Sequence, residues 1–416
     1  MSLQNNSTQS ESKFIFGFLF LFTLLSVSFF GPVFLEEQRY TVYVYAFLNI
    51  LLLPNVFFFY LKKNSGYLFM GAMKLINLSV FISLFCSYYF WEQSLSDGLL
   101  AILYPVAGYN LYFYLVKKNV SVATIERIIL IMGLASVVAF LISFMIFPRQ
   151  IFINPYDNED LTRGFQRIQL SGFGFIYLFF FMSLNKIFIS KQGNIKWIIF
   201  AMAAYTCILM SLTRTYIAFT TIIALVYLFR NSKMYVKGLI IGTLIIAIFV
   251  IPNLSFVQKM VETTKGDVAE SKDYIRIRAA QYFLDNFQPS VFTRILGNGF
   301  SYGDKSDYGK FMTKLNLSEF YYIEDLGLIG LYVYLGVLAV LAYIIIFYKG
   351  LTQKLSSEMN YLRMFIAYLL FIGLNSYATY NTSFLLCIVF VLYLYEANKN
   401  SRTNVPEVDK WNFETF

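Results

Sequence analysis

The chain reads as long apolar runs separated by short polar punctuation. FIFGFLFLFTLLSVSFFG near the start and LIGLYVYLGVLAVLAYIIIF near the end are typical. Neither alternates, and each is long enough to cross a bilayer as a helix. Such runs fall at about 14–34, 41–61, 67–90, 98–116, 128–147, 169–185, 197–212, 215–229, 238–251, 324–347, 364–379 and 382–396. A membrane barrel would need shorter segments of alternating polarity. Lipid admits nothing else, because every backbone polar group has to be satisfied inside the structure. The pattern predicts an all-α polytopic membrane protein with about 12 transmembrane helices. It divides the chain into helices 1–9 (1–251), a long external loop (252–323), helices 10–12 (324–396) and a polar tail (397–416).

Composition fixes the class. Hydrophobic residues make up 58% of the chain and charged residues 14%, with a mean hydropathy of +0.60, a balance foreign to soluble domains. The polar leader MSLQNNSTQSESK enters the first run without an A-x-A cleavage signal, which predicts a retained helix. Cys86, Cys207 and Cys387 all fall inside apolar runs and read as buried small hydrophobes. Histidine is absent, which removes the commonest general base and the commonest metal ligand. Neither a metal nor another cofactor is indicated.

Charge sets the orientation. Starting from an inner N-terminus and alternating the loops, 18 Lys/Arg collect inside, against five in the shorter outer loops. That asymmetry predicts both termini in the cytoplasm, and it accounts for the +9 net charge without any nucleic acid partner. Lys74, inside the third run, reads as snorkelling, paired within the bundle or lining a cavity.

The segment SLTRTYIAF places Arg214 between two apolar runs. A guanidinium at mid-bilayer costs at least about 3 kcal/mol. Lys186, Lys191 and Lys196 precede it and Arg230, Lys233 and Lys237 follow it, so both flanks face inward and the chain crosses twice between them. The turn at 211–215 then lies outside, slightly sunken, because each helix spans only about 23–26 Å. Arg214 is either an anchor that snorkels from a helix end or part of a site.

Two outer loops favour the second choice. PRQIFINPYDNEDLTRGFQRIQL carries Arg163 and Arg167, and the loop of about 70 residues carries Arg276, Arg278 and Arg294. In DYIRIRAAQYFLDNF, Ile275, Ala279, Tyr282, Phe283 and Phe287 recur at helical spacing, with Arg276 and Arg278 on opposite edges of the stripe. This predicts an amphipathic helix that lies on the membrane or roofs a cavity. The shorter outer loops hold arginine but no lysine. Arginine presents a planar fork suited to bidentate phosphate recognition, so an anionic, lipid-borne substrate such as a diphosphate fits the pattern. LGNGF at 296–300 lacks the strand–turn–helix context of a nucleotide motif, and its glycines read as a turn.

The order of these features resembles a family. A short helix ends in S-x-x-R and returns at once; a long external loop then carries R-x-R, LGNGF and, at the next helix, EDLGLIGLY. This is similar to the O-antigen polymerase and O-antigen ligase superfamily, the Wzy-like and WaaL-like membrane glycosyltransferases. The resemblance covers about 160–350 in motif order and the whole chain in helix count. It implies transfer of a glycan from an undecaprenyl-diphosphate carrier to a hydroxyl group, without a metal, on the outer face of the bacterial cytoplasmic membrane. It places Arg214 on the donor diphosphate, Arg276 or Arg278 at the loop arginine and, more weakly, Arg167 at an upstream one. A chain-length regulator or flippase would be a partner beside membrane lipid.

The chain departs from the ligase pattern, which presents a histidine in the long loop. That favours the polymerase branch and leaves the base to a carboxylate: Glu319, Glu324 or Asp325. Glu324 and Asp325 equally suit a helix N-terminus, where acids favour the dipole. The alternatives are an O-antigen ligase, a transporter or flippase of lipid-linked sugar, and a peptidoglycan glycosyltransferase of the shape, elongation and division type. Transporters show related halves and helices broken at the midplane; here the halves are unequal.

Overall fold

The computed structural model describes residues 2–33, 40–62, 66–147, 149, 151–153, 168–189, 195–234, 237–238, 241, 258, 274–374, 376 and 378–403. Among the described residues the protein is helical, and its one β-bridge joins Pro32 to Phe152. Among the described residues the helices before the long loop are α1 (Ser2–Ser26), α2 (Tyr40–Leu61), α3 (Met70–Trp91), α4 (Leu95–Leu103), α5 (Asn110–Lys118), α6 (Val122–Ile146), α7 (Phe173–Ile189), α8 (Ile195–Met210) and α9 (Arg214–Asn231). Within the loop lie α10 (Ile275–Asp285), α11 (Val291–Leu296) and α12 (Asp307–Lys314). After it come α13 (Leu328–Thr352), α14 (Asn360–Gly373) and α15 (Thr382–Thr403).

Among the described residues five helices are long and apolar enough to cross a membrane: Tyr40–Leu61, Met70–Trp91, Val122–Ile146, Leu328–Thr352 and Thr382–Lys399. A sixth span arises if Leu95–Leu103 and Ala107–Lys118 are taken together across a 65° bend. The run expected as one straight helix at 98–116 is thus broken, at the only stretch there that holds a proline, Pro105. Lys13–Ser26, Phe173–Ile189 and Ile195–Met210 are apolar but shorter. The run at 238–251 lies almost entirely outside the described residues.

Helices α7 and α15 form the centre. Every residue of α7 from Phe173 to Asn185 is buried, and 83% of the apolar window of α15 is enclosed. A helix that is apolar all round belongs inside a bundle. Tyr177, Tyr216, Tyr368 and Phe384 pack ring against ring between α7, α9, α14 and α15. The three thiols are buried and separate.

Polar pairs tie each end. At one end Glu396 of α15 accepts from Leu68 N (2.8 Å), Phe69 N (2.7 Å) and Tyr112 Oη (2.7 Å), capping the start of α3. Beside it Lys349 Nζ donates to Leu68 O at 2.8 Å. Lys74 lies over the Tyr60 ring at 5.3 Å, which is pairing within the bundle. At the same end Lys186 Nζ and Tyr361 Oη reach Glu126, each at 3.0 Å.

The other end carries the long loop. Helix α13 packs antiparallel on α3 and is broken at Gly336 (φ 77°, ψ −172°). The break frees the last carbonyls of its first half, and each of three finds a donor from outside the helix. Asn298 N donates to Val333 O at 2.9 Å, Gly299 N to Tyr334 O at 2.8 Å, and Ser79 Oγ to Leu335 O. Only glycine fits this junction: a Cβ at Gly336 would fall 2.4 Å from Ile295 O, and one at Gly297 would fall 2.5 Å from Tyr334 O. LGNGF is therefore a turn, but one driven into a helix break.

Candidate functional site

The tight return around Arg214 is present. Helix α8 ends at Met210, Leu212 takes a positive φ of 53°, and α9 begins at Arg214 itself. A guanidinium in the first helical turn sits against the positive end of the helix dipole, which works against the helix and in favour of an anion nearby. Arg214 is half-buried. Two residues on, Tyr216 Oη bonds to Ser376 Oγ at 2.9 Å, tying this turn to the segment that joins α14 to α15.

The same segment supports the entry to α13. A Cβ at Gly327 would fall 2.3 Å from Gly373 O, and Tyr380 Oη donates to Ile323 O at 3.3 Å. Between these anchors the 3-10 turn Ile323–Leu326 presents Glu324 and Asp325. The Arg214 turn and the acidic turn are thus fastened to one short connection, at one end of the bundle.

Helix α10 closes over the acidic turn. Its stripe turns inward, with Ala279, Phe283 and Phe287 buried, so it roofs protein rather than lying by that face on a membrane. Arg276 Nη2 and Nε both reach Asp325 Oδ2, at 3.0 Å and 3.2 Å. Arg278, on the other edge, lies over the Tyr321 ring at 6.0 Å, and that ring meets Tyr282 at 5.5 Å. Glu324 is half-buried and forms no ion pair among the described residues. Burial, and secondarily the charge of Asp325, push its carboxyl above the usual 4.5. Glu319 ends the π-helical turn Leu315–Glu319 and is exposed. Together with Tyr321, its charge adds to burial in raising the Tyr282 hydroxyl.

The remaining arginines separate. Arg294 turns away and donates from Nη2 to Asp285 O at 3.1 Å, capping the last turn of α10. Arg163 and Arg167 lie outside the described residues. Among the described residues no group of three or more His, Cys, Asp or Glu could hold a metal ion.

A clamp that sequence reasoning missed holds the loop. Asn298, fully buried, accepts from Trp91 Nε1 at 2.9 Å and donates through Nδ2 to Gln288 Oε1 (2.7 Å) and Val333 O (2.9 Å). Gln93, also fully buried, donates to Phe300 O (2.9 Å) and accepts from Tyr302 N (3.0 Å) and Ser306 Oγ (2.9 Å). Both buried amides are satisfied, which fixes the loop uniquely. In sequence Gln93 was only a polar residue just past the third run, and Asn298 only the middle of LGNGF, read there as a turn.

No protein-family model matches this chain, and no curated protein matches it in sequence.

Proposed function

We propose that the chain is a membrane glycosyltransferase of the O-antigen polymerase type. It would carry twelve crossings with both termini cytoplasmic, and act on the outer face of a bacterial cytoplasmic membrane. Its substrates would be two undecaprenyl-diphosphate-linked oligosaccharides, one giving its glycan and the other supplying an acceptor hydroxyl. The observation that carries this reading is the ion pair of Arg276 with Asp325 beside a half-buried carboxylate, Glu324.

The chemistry needs little else. The acceptor oxygen attacks the anomeric carbon, the bond from that carbon to the diphosphate oxygen breaks, and the departing diphosphate keeps the electron pair. Glu324 takes the hydroxyl proton; its raised affinity for protons suits a general base. Arg276, Arg278 and Arg214 neutralise the charge that develops on the leaving group. The Arg276–Asp325 pair is 42% and 45% exposed, so it contributes only about 0–1 kcal/mol and opens readily for a phosphate.

A second reading, transport of lipid-linked sugar, draws on the broken helix α13 and the 65° bend between α4 and α5. Broken helices serve transporters by exposing carbonyls to an ion or substrate. Here the carbonyls of Val333, Tyr334 and Leu335 are already occupied by protein donors, and so is Thr379 O, which takes both Tyr109 Oη and Tyr343 Oη. That weighs toward the enzyme.

The test is purified protein in lipid with an undecaprenyl-diphosphate oligosaccharide. A ladder of longer glycans is the expected product. A single transfer to a lipid A core would mean ligase, and flipping of the donor with no new glycosidic bond would mean transporter.

A further inference from the structure

The short helix α11 sits in a loop that charge and sequence place outside the membrane, yet its surface is made for hydrocarbon. Val291, Phe292 and Ile295 are 72%, 65% and 53% exposed. Beside them α3 exposes a stripe of Phe81, Phe85, Tyr88 and Tyr89. The two surfaces meet in a groove of 460 Å3, lined by Phe81, Phe85, Tyr89, Phe292 and Leu296 among others, every one aromatic, aliphatic or Cys86. The apolar face of α11 is thus continuous with the outward face of a candidate membrane span.

Depth can be read twice. Gly297, directly after α11, packs on Gly336, eight residues into α13, or about 12 Å along the helix. Phe81 lies ten residues before the end of α3, or about 15 Å below it. Since the 22 residues of α3 span about 33 Å against a hydrocarbon core of about 30 Å, both values fall within one leaflet.

The backbone obeys the rule that governs such a position. Irregular chain at membrane depth has to satisfy its own polar groups. Ser290 and Thr293 form a reciprocal capping box at the start of α11, and Gly297 N donates to Thr293 O at 2.9 Å at its end. The next two N–H groups donate into the break of α13. The one charge on α11, Arg294, reaches away to Asp285 O, as a snorkelling arginine does.

We infer that α11 is a re-entrant helix immersed in one leaflet, and that bilayer acyl chains fill the groove between α3 and α11. This requires only that α3 and α13 span the membrane, and it stands whether or not the chain is a glycosyltransferase. The experiment uses full-length protein in phosphatidylcholine vesicles, with Cys86, Cys207 and Cys387 replaced by Ala and one nitroxide label attached at Phe292→Cys. Labels at Phe85→Cys and Asp307→Cys serve as references for the span and for water. At Phe292→Cys, oxygen should broaden the signal several-fold more than a water-soluble nickel chelate, matching Phe85→Cys, and Ile295→Cys should behave alike. Chelate access equal to that at Asp307→Cys would overturn the inference. So would a label shielded from both reagents together with cross-linking of the unlabelled Phe292→Cys protein to a second copy, since that would make the groove a protein interface. Phe292 and Ile295 are exposed, so both variants retain the packing of the loop.

Discussion

The guanidinium of Arg276 holds a single carboxylate oxygen of Asp325 through two nitrogens, across 49 residues of sequence. In a glycosyltransferase site this aspartate competes with the diphosphate for the arginine. Asp325→Asn should therefore change unfolding stability by less than about 1 kcal/mol. It should tighten inhibition by inorganic diphosphate about tenfold, the equivalent of one charge-assisted hydrogen bond at ~1.4 kcal/mol. Inhibition titrations of the two proteins at constant salt would decide this; equal inhibition would remove Asp325 from the phosphate site.

Glu324 should govern the acid limb of activity. Burial holds its carboxyl above 4.5, so the rate should rise with pH through a value above the ordinary glutamate range. Stability moves the other way: between 4.5 and the raised value the folded chain keeps a proton that the unfolded chain has released. Folding free energy is therefore lost as pH climbs through that window. Glu324→Gln should flatten the acid limb and slow turnover by about 10² to 10⁴. A rate profile that keeps its limb after the substitution would transfer the role to Glu319 or Asp325.

Arg214 separates charge from geometry. Arg214→Ala should slow chain growth by about 10² to 10³, and Arg214→Lys should recover only part, because lysine keeps the charge but loses the planar fork. Thermal unfolding of both variants, followed alongside, separates a loss of chain growth from a loss of fold. A full ladder from Arg214→Ala would return this residue to the role of interfacial anchor.

The loop clamp should behave as structure. Asn298→Ala strips partners from Trp91 Nε1, Gln288 and, in part, Val333 O, at about 1–3 kcal/mol for each buried group left unsatisfied. Gly336→Val should cost more, because a Cβ there meets backbone at 2.4 Å and the φ of 77° disfavours a branched residue. Scanning calorimetry in detergent, read against the exposed control Phe81→Leu, would measure both.

The features legible in sequence were those written locally. The return at Arg214 followed from lysines and arginines on both flanks, and α8 and α9 begin and end within a few residues of the expected bounds. The stripe of α10 gave both arginine positions, because period and charge lie on the same short segment. What escaped was written at a distance. Gly336 inside an apolar run looks like any tolerated helical glycine; its meaning depends on Gly297 and Asn298, nearly 40 positions earlier. Pairing of Arg276 with Asp325 rather than Glu324 depends on how two turns stack, which periodicity does not encode. The turning away of Arg294 toward Asp285 O depends on the tilt of a six-residue helix.

The burial of α15 bears on how the protein is made. This helix is the most enclosed of the candidate spans and follows every other described helix in chain order. Its Glu396 supplies the carboxylate that closes the start of α3. While the ribosome is still translating, the side of α7 that packs on α15 therefore stays uncovered by protein. The N–H groups of Leu68 and Phe69 stay uncapped until the last segment leaves the insertion machinery. Packing is then completed only after the last segment has inserted, and a chain stalled before residue 382 would offer quality-control proteases that uncovered side of α7.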